Sequence, residues 1–402
     1  MTQSSQPLRV AVVFGTRPEA IKLAPLVLRL QERQDAFAVT TIVTAQHREM
    51  LDQVLALFGI RPAHDLDIIR PRQTLSQITA NAITGLDQLL SQDKPDFVVV
   101  QGDTSTTFVA ALAAFYHRIP VAHVEAGLRT RQKFYPFPEE INRHLTTVLA
   151  DAHFAPTAES GANLLAEGIP PDRIWVTGNT VIDALQEVLG WERKCTHPVL
   201  ERVRAEGGRM VLVTSHRREN QGEPQQRICD ALLELVERFP DIVVVFPVHL
   251  SPAVRDTVMP RLQKQDRIVL LDPIDYFETV HFMKASYLVL TDSGGIQEEA
   301  PALGKPVLVL RDTTERPEGV HAGTVRLVGT SFENIVSTAS RLLGDQEEYR
   351  RMSEAVNPYG DGQACRRILE ALLFLSGRGA SPEPFRALQS GTARPSGAHS
   401  AS

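Results

Sequence analysis

The sequence predicts an α/β protein of two domains, each a parallel β-sheet with helices on both faces. Three observations carry that prediction. Short, uninterrupted apolar strands alternate with amphipathic helices, the pattern of strands buried on both sides. The rhythm runs from residue 8 to about 124 and restarts near residue 210. The chain has 402 residues, more than one small core accommodates, so two domains are the default.

Residues 8–14 read as a buried strand, and Gly15-Thr-Arg-Pro18 as the loop that ends it. A helix follows over 19–31, with Ile21, Ala24, Leu28 and Leu30 on one side and Pro18 suited to its start. A second strand is expected over 38–44, then a helix over 50–58 and another over 75–90. The third strand, 97–100, leads into a helix over 106–116, and a fourth strand spans 120–124. In the second half the strands are 210–214, 242–248, 268–271, 287–291 and 306–310, with helices between them. The halves share architecture but no repeated sequence. The expected division is 1–175 for the N-terminal domain and 176–359 for the C-terminal one, with the crossing inside 174–207. A last amphipathic helix is expected over 363–374, with no partner assignable from pattern. The segment 378–402 is rich in Gly, Ala, Ser, Pro and Arg and reads as a disordered tail, dispensable for chemistry.

Composition sets the class. Hydrophobic residues make up 43% and charged residues 22%, as in an ordinary globular protein. The net charge is −6, from 42 basic and 48 acidic residues. With no basic block, nucleic acid is not an expected partner. An anionic ligand would be held by a few cations in a cleft. The three cysteines, Cys195, Cys229 and Cys365, are far apart and in no Cys-x-x-Cys pattern, so neither disulfides nor a zinc site is expected. The first apolar run, 10–14, reads as a strand rather than a secretion signal, and no run approaches membrane-spanning length. A cytoplasmic protein without membrane association is the expectation.

The chain is organised around Leu288-Val-Leu-Thr-Asp-Ser-Gly-Gly-Ile-Gln-Glu-Glu-Ala300. This reads as a strand, a Ser-Gly-Gly turn and a helix beginning near Gly294. Gly294 and Gly295 let a ligand approach without a Cβ in the way. The free N–H groups and the positive end of the helix dipole suit a phosphate. Glu298 and Glu299 lie about one turn on, where a carboxylate could take ribose hydroxyls. Taken alone, this is more simply a Ser293 N-cap before an acidic turn; the rest of the chain tips the balance.

Other strand ends carry similar groups. Arg17 and Lys22 follow the first strand; surface charge is the common explanation for such cations, but the carboxyl end of a parallel strand is where ligands bind. Asp103 follows a run of Val and is either an N-cap or a functional carboxylate. Glu125 ends the fourth strand. Glu139 and Glu140 begin a helix, where acids also occur for dipole reasons, and Arg143 could orient Glu139 as an i,i+4 partner. His216, beside Arg217 and Arg218 at a strand end, suits a diphosphate. Arg311, Glu315 and Arg316 add charge to the same rim. No metal triad is visible among His47, His216, His249 and His321. Without a Gly-x-Ser-x-Gly, a Walker loop or a Gly-x-Gly-x-x-Gly after the first strand, dinucleotide redox chemistry is disfavoured.

Together these segments resemble the non-hydrolysing UDP-N-acetylglucosamine 2-epimerases of bacteria. The matching pieces are Phe14-Gly-Thr-Arg-Pro-Glu-Ala-Ile-Lys22, Thr44-Ala-Gln-His-Arg-Glu-Met-Leu-Asp52, Gly102-Asp-Thr104, His123-Val-Glu-Ala-Gly-Leu-Arg-Thr130, His216-Arg-Arg-Glu-Asn220, Pro247-Val-His249, Thr291-Asp-Ser-Gly-Gly295 and Arg311-Asp-Thr-Thr-Glu-Arg-Pro317. Each is weak alone; the ordered set, from residue 9 to about 376, is specific. Two positions depart from the pattern: Gln101, where several relatives have His, and Thr279, where relatives often have Phe near the uracil, a role Phe277 or Phe282 could take over.

The resemblance implies two Rossmann-like domains in a GT-B-type arrangement, with UDP-sugar in the interdomain cleft and the helix over 360–377 packed back on the N-terminal domain. It implies a homodimer and no cofactor; NAD is not required. It implies that Ser293, Gly294 and Gly295 hold the diphosphate, that Glu299 holds the ribose, and that Arg17, Lys22, His216 and Arg316 line the ligand. Asp103, Glu125 and Glu139 would be the acid–base carboxylates. A second UDP-N-acetylglucosamine, acting as allosteric activator, would meet Gln46, Arg72, Gln73, Arg217 and His249.

The implied reaction is reversible inversion at C2 of UDP-N-acetylglucosamine, by elimination of UDP to 2-acetamidoglucal and re-addition, supplying precursors for surface polysaccharide. Competing readings are a hydrolysing epimerase that releases N-acetylmannosamine, a GT-B glycosyltransferase, which would need an acceptor site, and a non-catalytic UDP-sugar sensor, which has no use for an acid–base set. Fold alone does not choose among them.

Overall fold

The computed structural model describes residues 6–45, 48–70 and 72–387. Within them the chain forms two all-parallel sheets. The first contains β1 (Leu8–Phe14), β2 (Phe37–Val43), β3 (His64–Asp65), β4 (Phe97–Gln101), β5 (Val121–Val124), β6 (Ala152–Ala155) and β7 (Ile174–Val176), in the order β3-β2-β1-β4-β5-β6-β7. The second contains β8 (Arg209–Thr214), β9 (Ile242–Pro247), β10 (Ile268–Leu271), β11 (Leu288–Thr291), β12 (Val307–Val309) and β13 (Val325–Leu327), in the order β10-β9-β8-β11-β12-β13. Counted within its own half, each sheet begins 3-2-1-4-5-6, the doubly wound order of nucleotide-binding folds.

The strands missing from the sequence reading, β3, β6, β7 and β13, have two to four residues each. Such runs are too short for a periodic signal to separate them from turns or helix fragments. The central strands β4, β5 and β11 are apolar or nearly so and buried along their whole length.

That strand order places the reversal point between β1 and β4 in the first sheet and between β8 and β11 in the second. Ligands in open α/β sheets bind at the carboxyl ends of the strands flanking such a point. The four loops concerned carry Gly15 to Arg17, Gly102 and Asp103, Ser215 to Arg217, and Asp292 to Gly294. The topology therefore selects the same loops that the residue types had singled out.

The helix Arg17–Glu32 starts with Thr16 at its N-cap and Glu19 three residues on, in a capping box. Wholly buried, Glu19 does more than cap. One oxygen accepts from the Gly15 and Thr16 N–H groups at 3.0 and 2.8 Å, and the other from the Thr104 and Thr107 hydroxyls at 2.6 and 3.0 Å. One carboxylate thus ties the loop after β1 to the loop after β4. Gly15 is required there, since a Cβ would lie 2.0 Å from the Thr44 hydroxyl oxygen.

The crossings between halves run side by side, with the Asn179 N–H donating to the Tyr359 carbonyl at 2.7 Å. The helix Thr180–Gly190 packs on Arg17–Glu32 from the first half and on Tyr276–Ala285 and Gly294–Ala302 from the second. The final helix, Ala364–Leu375, lies against Arg17–Glu32 and Thr180–Gly190.

Disorder from residue 378 onward was the expectation, and residues 378–387 overturn it. After the last helix they run along β7, the edge of the first sheet. The Phe385 N–H donates to the Val176 carbonyl at 2.7 Å, Trp175 Nε1 donates to Ser381 Oγ at 3.3 Å, and Arg378 reaches the Gln6 carbonyl at 2.6 Å. Phe385, nearly buried, lies beside Gly178 and 5.6 Å from the Arg367 guanidinium. The polar composition of the segment hid two anchors, an aromatic ring and a backbone donor aimed at an open sheet edge. Residues 388–402 lie outside the described residues. Among the described residues no helix is long and apolar enough to cross a membrane.

Phe385→Ala removes the ring that seats this strap, and should lower unfolding stability by about 3 kcal/mol, the low end for deleting a buried aromatic. Urea denaturation would measure it; an unchanged midpoint would mean that the strap contributes nothing to the fold.

Candidate active site

Several charged groups are buried together where the halves meet. Lys22, one turn into the first helix, pairs with Glu125, which follows β5. Asn179, on the crossing, donates to Glu125 at 3.0 Å and to Glu298 at 2.6 Å. Glu298 also takes Arg316 Nε, and Arg316 donates to Glu315 at 2.7 Å. The chain of contacts Lys22–Glu125–Asn179–Glu298–Arg316 crosses from one sheet to the other with every member buried. Glu125 has a backbone φ of 62°, a left-handed conformation that a non-glycine residue adopts at an energetic cost. Burial opposes the charge on Lys22, yet Glu125 and Glu298 raise its pKa on balance.

Asp103 lies on the other side of this group. It is not the helix cap: that position is filled by Thr104, whose hydroxyl accepts from the Thr107 N–H at 3.2 Å. Its carboxylate instead pairs with Arg143. Burial pushes Asp103 up, but Arg143, Lys22 and Arg316 bring it below the usual carboxylate range. Arg143 does not orient Glu139, as the i,i+4 spacing had suggested. It turns the other way, to Asp103, to Glu140 at 3.1 Å and to the Leu128 carbonyl at 3.2 Å. Glu140 braces the 130–131 loop, accepting from Arg131 N–H at 2.9 Å. Glu139 is left half-buried, and its carboxyl is raised by burial and by nearby Asp103. His123 is sealed beneath this group with Nε2 2.7 Å from the Gly102 carbonyl, and burial lowers its pKa to about 3.

On the second sheet, Gly294 and Gly295 open the helix Gly294–Ala302. Ser293 holds the N-cap position without a side-chain capping bond, so capping does not account for its hydroxyl. Gly294 faces the Arg316 guanidinium; a Cβ there would lie 2.6 Å from Nη1. The two glutamates of this helix part company. Glu298 points into the ion-pair chain. Glu299 accepts from the Tyr276 hydroxyl at 2.7 Å, and burial together with Glu298 pushes its carboxyl up to about 7. Arg17 lies near Asp275, Glu299 and Tyr276, with its pKa lowered by burial.

His216 stands at the end of β8, its Nδ1 3.0 Å from Asp292 Oδ1, with the His249 ring stacked 6.1 Å away. Arg217 donates from Nε to the Asp292 carbonyl at 3.0 Å and from Nη2 to Glu315 at 3.3 Å. Burial would raise Glu315, but Arg316, Arg311 and Arg217 hold it well below the carboxylate range. Arg311 also reaches back across the cleft to the Tyr135 hydroxyl at 3.2 Å.

The positions expected around a second ligand divide. Arg217 and His249 adjoin His216. Gln73 braces its own loop, accepting from Arg70 N–H at 2.7 Å and donating to the Ile68 carbonyl at 2.8 Å. Arg72 is exposed with φ 58°, and among the described residues no bond joins Arg72 or Gln73 to Arg217 or His249. Gln46 lies outside the described residues. Phe277 and Phe282 are both buried, Phe277 stacked on Trp191 and Phe282 against His197. Asn179 and Asp292 escaped sequence reasoning. Asn179 caps the helix Thr180–Gly190, accepting from the Val181 N–H at 3.1 Å, and Asp292 is one of many acids beside a turn; only the fold reveals what else each faces. Among the described residues no cluster suited to a metal ion occurs.

Comparison with known proteins places this arrangement. The family model described as UDP-N-acetylglucosamine 2-epimerase matches residues 29–373. A UDP-N-acetylglucosamine 2-epimerase of Bacillus subtilis (strain 168) is 54% identical over 379 residues, covering 94% of this chain and 98% of the relative. The chain belongs to the UDP-N-acetylglucosamine 2-epimerase family. The UDP-GlcNAc 2-epimerase of Neisseria meningitidis, solved bound to UDP-GlcNAc, superposes with a TM-score of 0.84 at 49% identity, covering 91% of this chain and 100% of that one. The Methanocaldococcus jannaschii UDP-GlcNAc 2-epimerase, solved with UDP-GlcNAc and UDP, gives a TM-score of 0.76 at 32% identity, again covering 91% and 100%. The two Rossmann-like sheets and their GT-B-type arrangement are thus those of the family.

If Glu299 accepts ribose hydroxyls, its ionised form is the stronger acceptor for two of them. A group raised to about 7 is mostly protonated at pH 6 and ionised at pH 8, so UDP affinity should rise about tenfold across that interval. Calorimetry on the protein and on Glu299→Gln, side by side, isolates this contribution from titration of UDP itself; equal slopes for both would remove Glu299 from the ribose site.

Proposed function

We propose that the protein interconverts UDP-N-acetylglucosamine and UDP-N-acetylmannosamine by eliminating UDP and adding it back with the C2 proton on the opposite face. Membership of an isomerase family and the UDP-GlcNAc seen bound to the Neisseria meningitidis relative support the substrate. The observation that carries the mechanism is that carboxylates and cations meet at the reversal points of both sheets. Asp103 experiences the fields of Lys22 and Arg316, and Glu139 those of Asp103 and Arg217.

The chemistry needs both kinds of group. The C2 proton of the sugar is not adjacent to a carbonyl, so its removal alone would leave an unsupported carbanion. Loss of UDP from C1 as the proton leaves avoids that species and gives 2-acetamidoglucal. A base is then needed on one face of the ring, a proton donor on the other, and positive charge on the departing diphosphate. Carboxylates whose environments push their pKa values apart divide such roles. Asp103, which burial disfavours as a charge but Arg143 brings below the usual carboxylate range, is the more acidic member; Glu139, raised by burial and by Asp103, is the more basic one. Glu125 is the third carboxylate of the set, in contact with Lys22 and Asn179. Arg17, His216 and the Gly294 helix end, with Ser293 and Gly295, receive the diphosphate; Arg316 and Lys22 line it.

The same reading includes a homodimer, a second UDP-N-acetylglucosamine as activator beside Arg217 and His249, and a role in supplying surface-polysaccharide precursors. An exposed apolar face supports the dimer. Phe115, Tyr116, Leu145 and Val148 are exposed on the packed helices Ser105–Tyr116 and Glu139–Leu149, and such contiguous exposure marks interfaces.

Proton NMR of the protein with UDP-N-acetylglucosamine in D2O tests the central claim. Formation of UDP-N-acetylmannosamine with deuterium at C2 is expected. Free N-acetylmannosamine with UDP would identify a hydrolase instead, transfer to an added sugar acceptor a glycosyltransferase, and binding without turnover a sensor. In the same assay Glu139→Gln should lower kcat by about 10²- to 10⁴-fold, the usual loss for a general acid or base, while retaining affinity for UDP.

A further inference from the structure

We infer that Asp292 is a positioning residue for His216, holding its imidazole in the form that meets the departing diphosphate as a cation. The inference rests on the epimerase reading above and deepens it. Asp292 is completely buried at the end of β11, immediately before Ser293. Its two oxygens have separate tasks. Oδ2 accepts the backbone N–H groups of His216 and Arg217, both at 2.9 Å, Asn220 Nδ2 at 3.0 Å and the Ser215 hydroxyl at 3.2 Å. Oδ1 accepts no hydrogen bond from any of these; buried and otherwise unpartnered, it has the imidazole Nδ1 3.0 Å away, an ion-pair contact off the line of a hydrogen bond that a small turn of the ring would complete. One oxygen therefore holds the loop after β8 against the start of the Gly294 helix, and the other is reserved for the ring.

The consequence is chemical. An ionised carboxylate can only accept, so the proton on this side belongs to Nδ1 and Nε2 is left for the ligand. Although burial opposes it, contact with His216 and the 216–217 N–H groups keeps the Asp292 carboxyl below its usual range, so the acceptor persists at neutral pH. When Nε2 also donates to a phosphate oxygen, both ring nitrogens carry protons and the ring is positively charged, balanced by a buried counter-ion. The ring itself is 45% exposed, open to a ligand on the side away from Asp292. Without Asp292, a neutral Nε2–H imidazole could still donate a hydrogen bond but would bring no charge to the oxygen on which negative charge develops.

Asp292→Asn separates these two contributions. The amide oxygen can serve the four donors that Oδ2 now holds, which keeps the loop in place. The amide N–H then points at Nδ1, which must offer its lone pair, and the ring becomes the neutral Nε2–H tautomer. The expected result is a kcat for epimerisation lower by about 100-fold, in the range for removing one transition-state electrostatic contact, with KM changed by less than about threefold. In a His216→Gln background, Asp292→Asn should cost little more, because both substitutions remove the same group from play. Equal losses in both backgrounds would show a purely structural role and overturn the inference. Nitrogen NMR of the His216 ring supplies a readout that needs neither turnover nor the variant. Nδ1 should give a protonated, pyrrole-type shift in the native protein and a pyridine-type shift in Asp292→Asn; a pyridine-type Nδ1 in the native protein would overturn the inference even if the variant fails to fold. Absence of epimerisation by the native protein would instead overturn the epimerase reading, with the ring-nitrogen shifts still deciding what Asp292 does.

Discussion

The buried contacts from Lys22 through Glu125, Asn179 and Glu298 to Arg316 are the constraint on which the rest of the structure depends. Charges removed from water are tolerated only where partners satisfy them, and losing one partner typically costs about 3–5 kcal/mol. Lys22 and Glu125 belong to the first half, Glu298 and Arg316 to the second, and Asn179 to the chain that crosses between them. Each ion pair closes within its own half, and Asn179 joins the two. The two sheets are therefore committed to an arrangement in which their carboxyl-terminal strand ends face one another.

That commitment explains why the polar groups of the cleft are preorganised rather than assembled by a ligand. Glu19 locks the loop after β1 to the loop after β4 with four hydrogen bonds. Arg143 holds Asp103, and Glu140 holds both Arg143 and the 130–131 loop. The loop after β8 is fastened to the helix that begins at Gly294 through Asp292. Donors and acceptors fixed in a partly dry site require little reorganisation when charge moves, which is how electrostatic catalysis gains most of its effect. The buried carboxylates here fall on both sides of their ordinary range, Asp103 and Glu315 below it, Glu139 and Glu299 above it. A single site thus contains carboxyls shifted in opposite directions.

Much of this was legible in the order of residues. Unbroken apolar strands identify a parallel sheet because only strands covered on both faces can be apolar throughout. Arg17, Asp103, Glu125, His216 and Ser293-Gly294-Gly295 stood out because each follows such a strand, where parallel sheets bind ligands. What failed to read correctly did so for definite reasons. The i,i+4 spacing of Glu139 and Arg143 is a local relation, and the buried Asp103 carboxylate from another element outcompeted it. The strap at 378–387 looked disordered because composition averages over a segment, whereas a few residues fasten it: Phe385 to Val176 and Gly178, Ser381 to Trp175 and Arg378 to Gln6. Short strands such as β3 and β13 carry too few residues to show a period.

The sequence by itself determined the fold class, the loops that carry chemistry and the family, since these depend on local pattern and on the order of motifs along the chain. Tertiary structure decided which neighbouring glutamate enters the buried ion-pair chain and which meets only a tyrosine hydroxyl, that Asn179 bridges the halves, and that Asp292 faces His216. Those relations join residues between 18 and 119 positions apart. Their energies depend on distance and burial in space, which no local pattern encodes.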